Sequence, residues 1–178
     1  MVTGVMKAFF WTSLAAASVC ISEPIFAAQD AVAASFAEMK GLVGVWRQAE
    51  KAASPLRMRF SLTAGGSALV EEWLRGSQPH SMTIYHRDGK GLVATHYCPQ
   101  DNQPRLALLP QSAGKVLRFK FRDATDLDAV HESHLVVLAF DLSHEEKIVR
   151  SETYRQAGSD EASEMHLVRD KEIGGTTR

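Results

Sequence analysis

Short segments in which apolar and polar residues alternate, separated by turn residues, constrain this chain more than any other feature. In "LRMRFSL", residues 56–62, every second residue is apolar, and "KVLRFKFR", residues 115–122, repeats the pattern through Leu117, Phe119 and Phe121. A period of two is typical of β-strands with one buried face. About ten such segments follow one another after Gly41. They predict a mainly β protein built on an antiparallel up-and-down sheet.

The number of strands favours a closed sheet. Ten-odd strands in one domain of about 150 residues would leave long exposed edges unless the first and last strands pair. We therefore expect a closed β-barrel of about ten strands, with a β-sandwich as the alternative that alternation does not exclude. Ahead of the first strand, Val32, Phe36 and Met39 recur at helical spacing. They predict a short N-terminal helix that plugs one end of the barrel.

The N-terminal residues 1–28 have the pattern of a secretory signal peptide. Lys7 precedes an apolar stretch that ends in small residues, so cleavage is expected before Ala28 or Gln29. The polar and helix-breaking residues 22–24 interrupt the apolar run before it reaches the ~20 residues that span a bilayer. The sequence predicts a periplasmic or secreted protein with no integral membrane segment in the mature chain.

The remainder reads as one barrel domain, residues 29–171, followed by a disordered tail, residues 172–178. With 20 basic and 21 acidic side chains, the chain has no basic patch for nucleic acid, so nucleic acid is not an expected partner. After cleavage Cys98 is the only cysteine, which excludes an intramolecular disulfide and favours a buried thiol over a reactive one. The oligomeric state stays open.

The first clear hairpin turns at "TAGG" and places a carboxylate inside the barrel. If this turn pairs Phe60 with Leu69, it also pairs Met58 with Glu71. Glu71 then points inward, and a shift of one residue would send Glu72 inward in its place. An isolated buried charge is costly, so this carboxylate should find a partner or take up a proton. The alternative is an open barrel end at which it meets water.

The register of the next hairpin predicts that a histidine side chain points into the barrel. A three-residue loop, 87–89, with Gly89 in the left-handed region gives a coherent apolar face, whereas a two-residue loop mixes polar and apolar residues. The pairs on that face would be Ile84 with Leu92, Met82 with Ala94, and His80 with His96. His96 would then point into the barrel with Glu71, His80 and Cys98 as its nearest polar neighbours.

This polar cluster has three interpretations. Hydrogen-bonded side chains that orient an apolar ligand are the main one. A zinc or iron site on His80, His96 and Glu71 and haem ligation by an interior histidine are the alternatives. We predict no bound cofactor; among cofactors, only haem is kept as an alternative. An enzymatic or redox role for His96 and Cys98 is disfavoured, because residues two apart on a strand face are ~7 Å apart at the backbone.

Three stretches carry a resemblance to a known family. "LVGVWR" gives a Gly-x-Trp strand after the helix, and "TAGGSALVEEWL" and "YHRDGKGLVATHYCPQDNQPR" follow it. Together they resemble uncharacterised bacterial lipocalin-like and nitrobindin-like (calycin-type) β-barrels. The resemblance implies that fold and, at most, ligand binding. It implies no catalytic residues.

The sequence therefore predicts an exported barrel that binds a small, largely apolar molecule in its interior. The expected ligand-binding residues are Met58, Phe60, Glu71, Trp73, Met82, His96, Arg105 and Phe119, with Leu69 and Phe121 beside them. The alternatives are a haem-binding or redox barrel that uses His96 and Cys98, and a filled barrel with a structural or interaction role. A cavity of ~300 Å³ or more would favour ligand binding over a filled core.

Overall fold

The computed structural model describes residues 1, 23–110, 112 and 115–171, with the side chains of the helix from Ala31 onward. The elements are α1 Glu23–Lys40, β1 Gly44–Gln48, β2 Leu56–Thr63, a 3₁₀ turn Ala64–Gly66, β3 Ala68–Arg75, β4 Gln78–Asp88, β5 Gly91–Tyr97, β6 Gln103–Leu108, β7 Val116–Thr125, β8 His134–Asp141, β9 Lys147–Gln156 and β10 Ser159–Arg169. Most of the predicted leader and the predicted tail lie outside the described residues. The helix α1 begins before the predicted cleavage point.

The ten strands form one closed antiparallel barrel in which each strand pairs with its neighbours in sequence. β1 closes the barrel, because it pairs with β10 through Trp46 and Arg169 and with β2 through Gly44 and Phe60. The prediction of a closed up-and-down barrel with a helix before it is confirmed. In the described part of the chain, no helix is both long and apolar enough to cross a membrane.

The helix covers the end of the barrel at which β1 begins. Val32, Phe36 and Met39 are buried and belong to the same apolar cluster as the barrel interior. The backbone N–H of Gly41 donates to the carbonyl of Glu38 at the point where the helix ends. Full burial of a side chain of this size stabilises by about 1.5–3 kcal/mol. The helical spacing of these residues thus accounts for one sealed end of the barrel.

The β2–β3 hairpin differs from its predicted register by two residues. Phe60 pairs with Glu71 and Met58 with Trp73, because the turn lies one residue further along than expected. Since side chains alternate with a period of two, an even shift leaves each residue on its predicted face. Glu71 therefore points inward, as predicted, and it is fully buried, so the alternative in which it meets water at an open barrel end is wrong.

The β4–β5 hairpin differs by an odd number of residues, and β4 is therefore turned over. The predicted three-residue loop is wrong, since Asp88 pairs with Gly91 across a two-residue turn. Gly89 has φ +58, so its predicted left-handed conformation is confirmed. The resulting pairs place Thr83 beside His96. His96 itself keeps its predicted inward direction and is 2% exposed.

Two side chains predicted to line the interior point outward. Met82 pairs with Tyr97 on the outer face of the sheet, because β4 is turned over relative to the prediction. Arg105 is also on the outer face, where its side chain forms an ion pair with Asp123 and is 41% exposed. The interior position on β6 belongs instead to Leu106, which is fully buried.

Candidate functional site

The end of the barrel opposite the helix holds a pocket of about 240 Å³. It lies where β3, β5 and β9 end and where β2 and β4 begin. Its lining mixes aromatic, apolar and charged side chains: Leu56, Trp73, Arg75, His80, Ser81, His96, Pro99, Glu152 and Tyr154. We call this space the mouth pocket. The side chains at its floor are more deeply buried than those at its rim and are held by hydrogen bonds.

Hydrogen bonds to two neighbouring side chains, one on each ring nitrogen, fix His96 at the floor of the pocket. Its Nδ1 atom lies 2.9 Å from Oγ1 of Thr83, and its Nε2 atom lies 3.2 Å from the hydroxyl of Tyr154. Burial, together with the positive charge of Arg150, lowers the pKa of His96 to about 4. The imidazole is therefore neutral near pH 7. It acts as a hydrogen-bonding group there and carries no charge.

An ion-paired network lies directly behind the pocket. The guanidinium of Arg150 bonds to Oε2 of Glu152, and its Nε atom lies 3.0 Å from Oε1 of Glu71. That Nε contact is an ion pair and not a hydrogen bond, because no hydrogen-bond geometry is met there. The side chains of Arg150 and Glu71 are 1% and 0% exposed. Two carboxylates therefore share one buried cation.

Aromatic side chains complete the network around Glu71. The indole N–H of Trp73 donates to Oε1 of Glu71 at 2.6 Å, and the hydroxyl of Tyr85 donates to Oε2. The guanidinium of Arg150 lies 4.8 Å from the centre of the Trp73 ring and 5.8 Å from that of Phe140. Every oxygen of Glu71 therefore has a donor, which offsets much of the cost of burying this charge.

The electrostatics of the network keep Arg150, Tyr85 and Tyr154 protonated at pH 7. Burial alone would lower the pKa of Arg150, but the charges of Glu71 and Glu152 raise it, so the guanidinium stays protonated. Burial, followed by the charge of Glu71, raises the pKa of Tyr85. Burial, followed by the charge of Glu152, raises the pKa of Tyr154. Both phenols therefore remain hydrogen-bond donors.

Strand β9 supplies the site residues that sequence reasoning missed. Arg150, Glu152 and Tyr154 follow Ile148 at intervals of two and share its inward face. These three residues are polar, and Val149 on the outer face is as apolar as Ile148 on the inner face. The sequence of β9 therefore does not indicate which face points inward. The usable signal was Glu71: an inward carboxylate predicts a buried cation. On β9, Arg150 follows the apolar Ile148 by two residues and therefore shares its face.

The predicted ligand-binding residues divide into three groups. Trp73 and His96 line the mouth pocket, and Glu71 lies behind Trp73. Met58, Phe60 and Phe119 are fully buried in the apolar cluster that fills the middle of the barrel. Met82 and Arg105 lie on the outer face of the barrel. The structure gives the position of each of these eight residues, and a binding role for any of them stays a prediction.

The predicted polar neighbours of His96 are only partly present. His80 is exposed and lines the rim of the mouth pocket. Cys98 lies in the turn just after β5, partly buried, and burial raises the pKa of its thiol, so it stays protonated at neutral pH. Glu71 contacts Arg150 instead of His96. Among the described residues, no three histidine, cysteine or acidic side chains are grouped to hold a metal ion.

No known protein-family model and no curated protein matches this chain. The closed ten-stranded barrel is consistent with a calycin-like fold. Chemically, the mouth pocket combines two aromatic walls, a neutral imidazole–phenol pair and a paired carboxylate. Such a set binds and orients a molecule by hydrogen bonds and stacking.

Proposed function

We propose that this protein is an exported β-barrel that binds a small molecule in the mouth pocket. The observation that carries the proposal is the convergence of three polar side chains on this pocket. One end is sealed by apolar side chains of α1, and the other holds a 240 Å³ pocket with His96, Tyr154 and Glu152 fixed around it. Polar groups that converge on a concave site are typical of ligand-binding pockets.

The size of the pocket limits the ligand. Its volume is below the ~300 Å³ at which a cavity would favour ligand binding over a filled core, so support for binding comes from the polar side chains around the pocket and not from its volume. The apolar middle of the barrel, around Phe60 and Phe119, is occupied by the protein's own side chains. The bound molecule therefore lies against Leu56 and Trp73 at the mouth, and only part of its surface need be apolar. A filled barrel with an interaction role remains the second candidate, favoured by that packed middle.

Haem fits this site poorly. Both ring nitrogens of His96 are engaged, by Thr83 and by Tyr154. The imidazole could ligate iron only by giving up one of these contacts. We therefore propose binding without haem. We also propose that the chain belongs to the lipocalin-like and nitrobindin-like (calycin-type) family, a proposal supported by the closed barrel and the helix before it.

Native mass spectrometry of the protein purified from its own host tests ligand binding. We expect a population heavier than the bare chain by the mass of one small molecule. Ser81→Phe should remove that population, because Ser81 lines the mouth pocket and a phenyl ring would fill it. Ser151→Phe is the matched control, since Ser151 is on the outer face of β9. A bare wild-type chain, or equal occupancy in both variants, would contradict the proposal.

Export has a separate test. Cleavage before Ala28 or Gln29 would leave Val32, Phe36 and Met39 in place, and these residues dock α1 on the barrel. N-terminal sequencing of the extracytoplasmic protein should therefore begin at Ala28 or Gln29. An uncut chain recovered from the cytoplasm would show that the N-terminal stretch is not a signal peptide.

A further inference from the structure

The hydrogen bonds at the pocket floor decide which tautomer His96 adopts. If Nδ1 carried the proton, it would donate to Thr83, and the hydroxyl proton of Thr83 would have no acceptor. Thr83 is fully buried and His96 is its one side-chain partner in the described structure. A buried donor without an acceptor costs about 1–3 kcal/mol. The other tautomer leaves the hydroxyl proton of Tyr154 without a protein acceptor, but that cost is smaller because Tyr154 faces the pocket, whereas Thr83 is fully buried. The hydroxyl of Thr83 therefore donates to Nδ1, and the proton of the neutral ring is on Nε2.

This tautomer leaves a free donor in the mouth pocket. Nε2–H of His96 donates to the oxygen of Tyr154. The hydroxyl proton of Tyr154 is then available, because no other acceptor lies within hydrogen-bonding distance of it in the described structure. Tyr154 lines the pocket. A ligand that enters meets a donor whose direction is limited by the histidine behind it.

Glu152 supplies an acceptor in the same pocket. Its Oε2 atom accepts from Arg150, whereas its Oε1 atom has only the hydroxyl of Ser163 at 3.5 Å. That distance exceeds the 2.5–3.0 Å of ordinary O–H···O hydrogen bonds. Oε1 is therefore short of a donor. Glu152 and Tyr154 are two residues apart on one strand face, so a single small molecule can reach both.

The charges around the pocket favour a neutral ligand. A cation would be drawn to Glu152, but it would also meet Arg75 at the rim and Arg150 behind the carboxylate. An anion would be drawn to Arg75, but it would also meet the carboxylate of Glu152, and the charge of Arg150 is already paired with Glu71 and Glu152. The flat side chains of Trp73 and Tyr154 favour a planar molecule.

Building on the proposed binding function, we infer that the mouth pocket takes a small, uncharged, planar molecule in which a hydrogen-bond acceptor stands beside an N–H donor, as in a primary amide or a lactam. The carbonyl of such a molecule accepts from Tyr154, and its N–H donates to Oε1 of Glu152. The hydroxyl of Tyr154 and Oε1 of Glu152 are then both satisfied.

Five probes that share one ring test this inference in the mature protein: benzamide, acetophenone, benzoate, benzylamine and toluene. Binding is followed by ¹⁵N NMR at the indole N–H of Trp73 and the amides of Ser81 and His96. Benzamide should bind most tightly. Acetophenone, its isostere without the N–H, should bind about tenfold more weakly, because a hydrogen bond to a charged group is lost.

Tyr154→Phe removes the hydroxyl donor and keeps the aromatic ring, so it measures the contribution of the hydrogen bond alone. It should weaken benzamide binding by about three- to tenfold, the effect of one lost hydrogen bond. Tyr97→Phe makes the same change on the outer face, where Tyr97 is 42% exposed, and should leave binding unchanged. The comparison of benzamide with acetophenone needs only the wild-type protein, so it stands even if Tyr154→Phe folds poorly.

The outcomes distinguish this inference from the function on which it rests. Toluene or benzylamine binding as tightly as benzamide would overturn the proposed ligand class while leaving a binding pocket. Shifts with none of the five probes would also overturn the ligand class. If host-purified protein then carries no bound molecule either, the proposed function fails as well.

Discussion

Arg150→Met should destabilise the protein by about 3–5 kcal/mol. The substitution leaves Glu71 buried without its cation, and breaking a buried ion pair from one side has a cost of this order. Glu71 is 0% exposed and cannot reach water without a rearrangement of the barrel wall. The loss also removes the guanidinium stacked against Trp73. Guanidinium chloride unfolding, monitored by circular dichroism, gives the change in the free energy of unfolding.

A matched control and a double variant make this result specific. Arg155→Met removes an arginine from the same strand, but its ion pair with Asp160 is 48% and 46% exposed, and such pairs contribute about 0–1 kcal/mol. Glu71→Met combined with Arg150→Met should be more stable than Arg150→Met alone, since the fully buried charge of Glu71 is then absent and only the partly exposed Glu152 lacks its cation. Equal losses in Arg150→Met and Arg155→Met would show that the buried network contributes little.

The barrel itself could be predicted from the sequence because alternation and short turns depend on local residues. The clean faces of β2 and β7 fixed which side chains point inward. The N-terminal helix followed from the spacing of Val32, Phe36 and Met39. Glu71 was placed correctly even though its pairing was wrong, because an even shift of register preserves the face.

The candidate site was harder to predict because the barrel interior is polar at one end. In β4 the most apolar residues, Met82 and Ile84, suggested the wrong face, whereas Thr83 and Tyr85 are the ones that point inward. A buried polar side chain is stable only when its partner is present. The partner of Tyr85 is Glu71, on the neighbouring strand, and that of Thr83 is His96. Patterns within a single strand contain no information on such pairs.

Acid should destabilise the protein through His96. The pKa of His96 is about 4 in the folded state, because of burial and the charge of Arg150, against an ordinary value of 6.5. Between these values the unfolded chain binds a proton that the folded chain does not. The free energy of unfolding is therefore unaffected by His96 above pH 6.5 and decreases as the pH falls toward 4. The expected loss is about 2 kcal/mol between pH 7 and pH 5.

Two variants isolate this contribution from that of the other titratable groups. His96→Leu removes the imidazole, so the free energy of unfolding should depend less on pH between 7 and 5 than that of the wild type. His144→Gln changes an exposed histidine in the loop before β9 and should leave the pH dependence unchanged. The same slope in His96→Leu and the wild type would mean that His96 is protonated as easily in the folded protein as in the unfolded chain.

The protonation state of the His96 ring is the most direct test of the proposed binding site, because both the free donor of Tyr154 and the neutral pocket floor depend on it. Side-chain ¹⁵N NMR of histidine-labelled protein reports the proton on each ring nitrogen, and the signal that His96→Leu removes identifies the residue. We predict a neutral ring at pH 7 with the proton on Nε2, and a second proton only as the pH approaches 4. A ring already charged at pH 6, or a neutral ring with its proton on Nδ1, would show that the pocket floor does not present the donor of Tyr154 to a ligand.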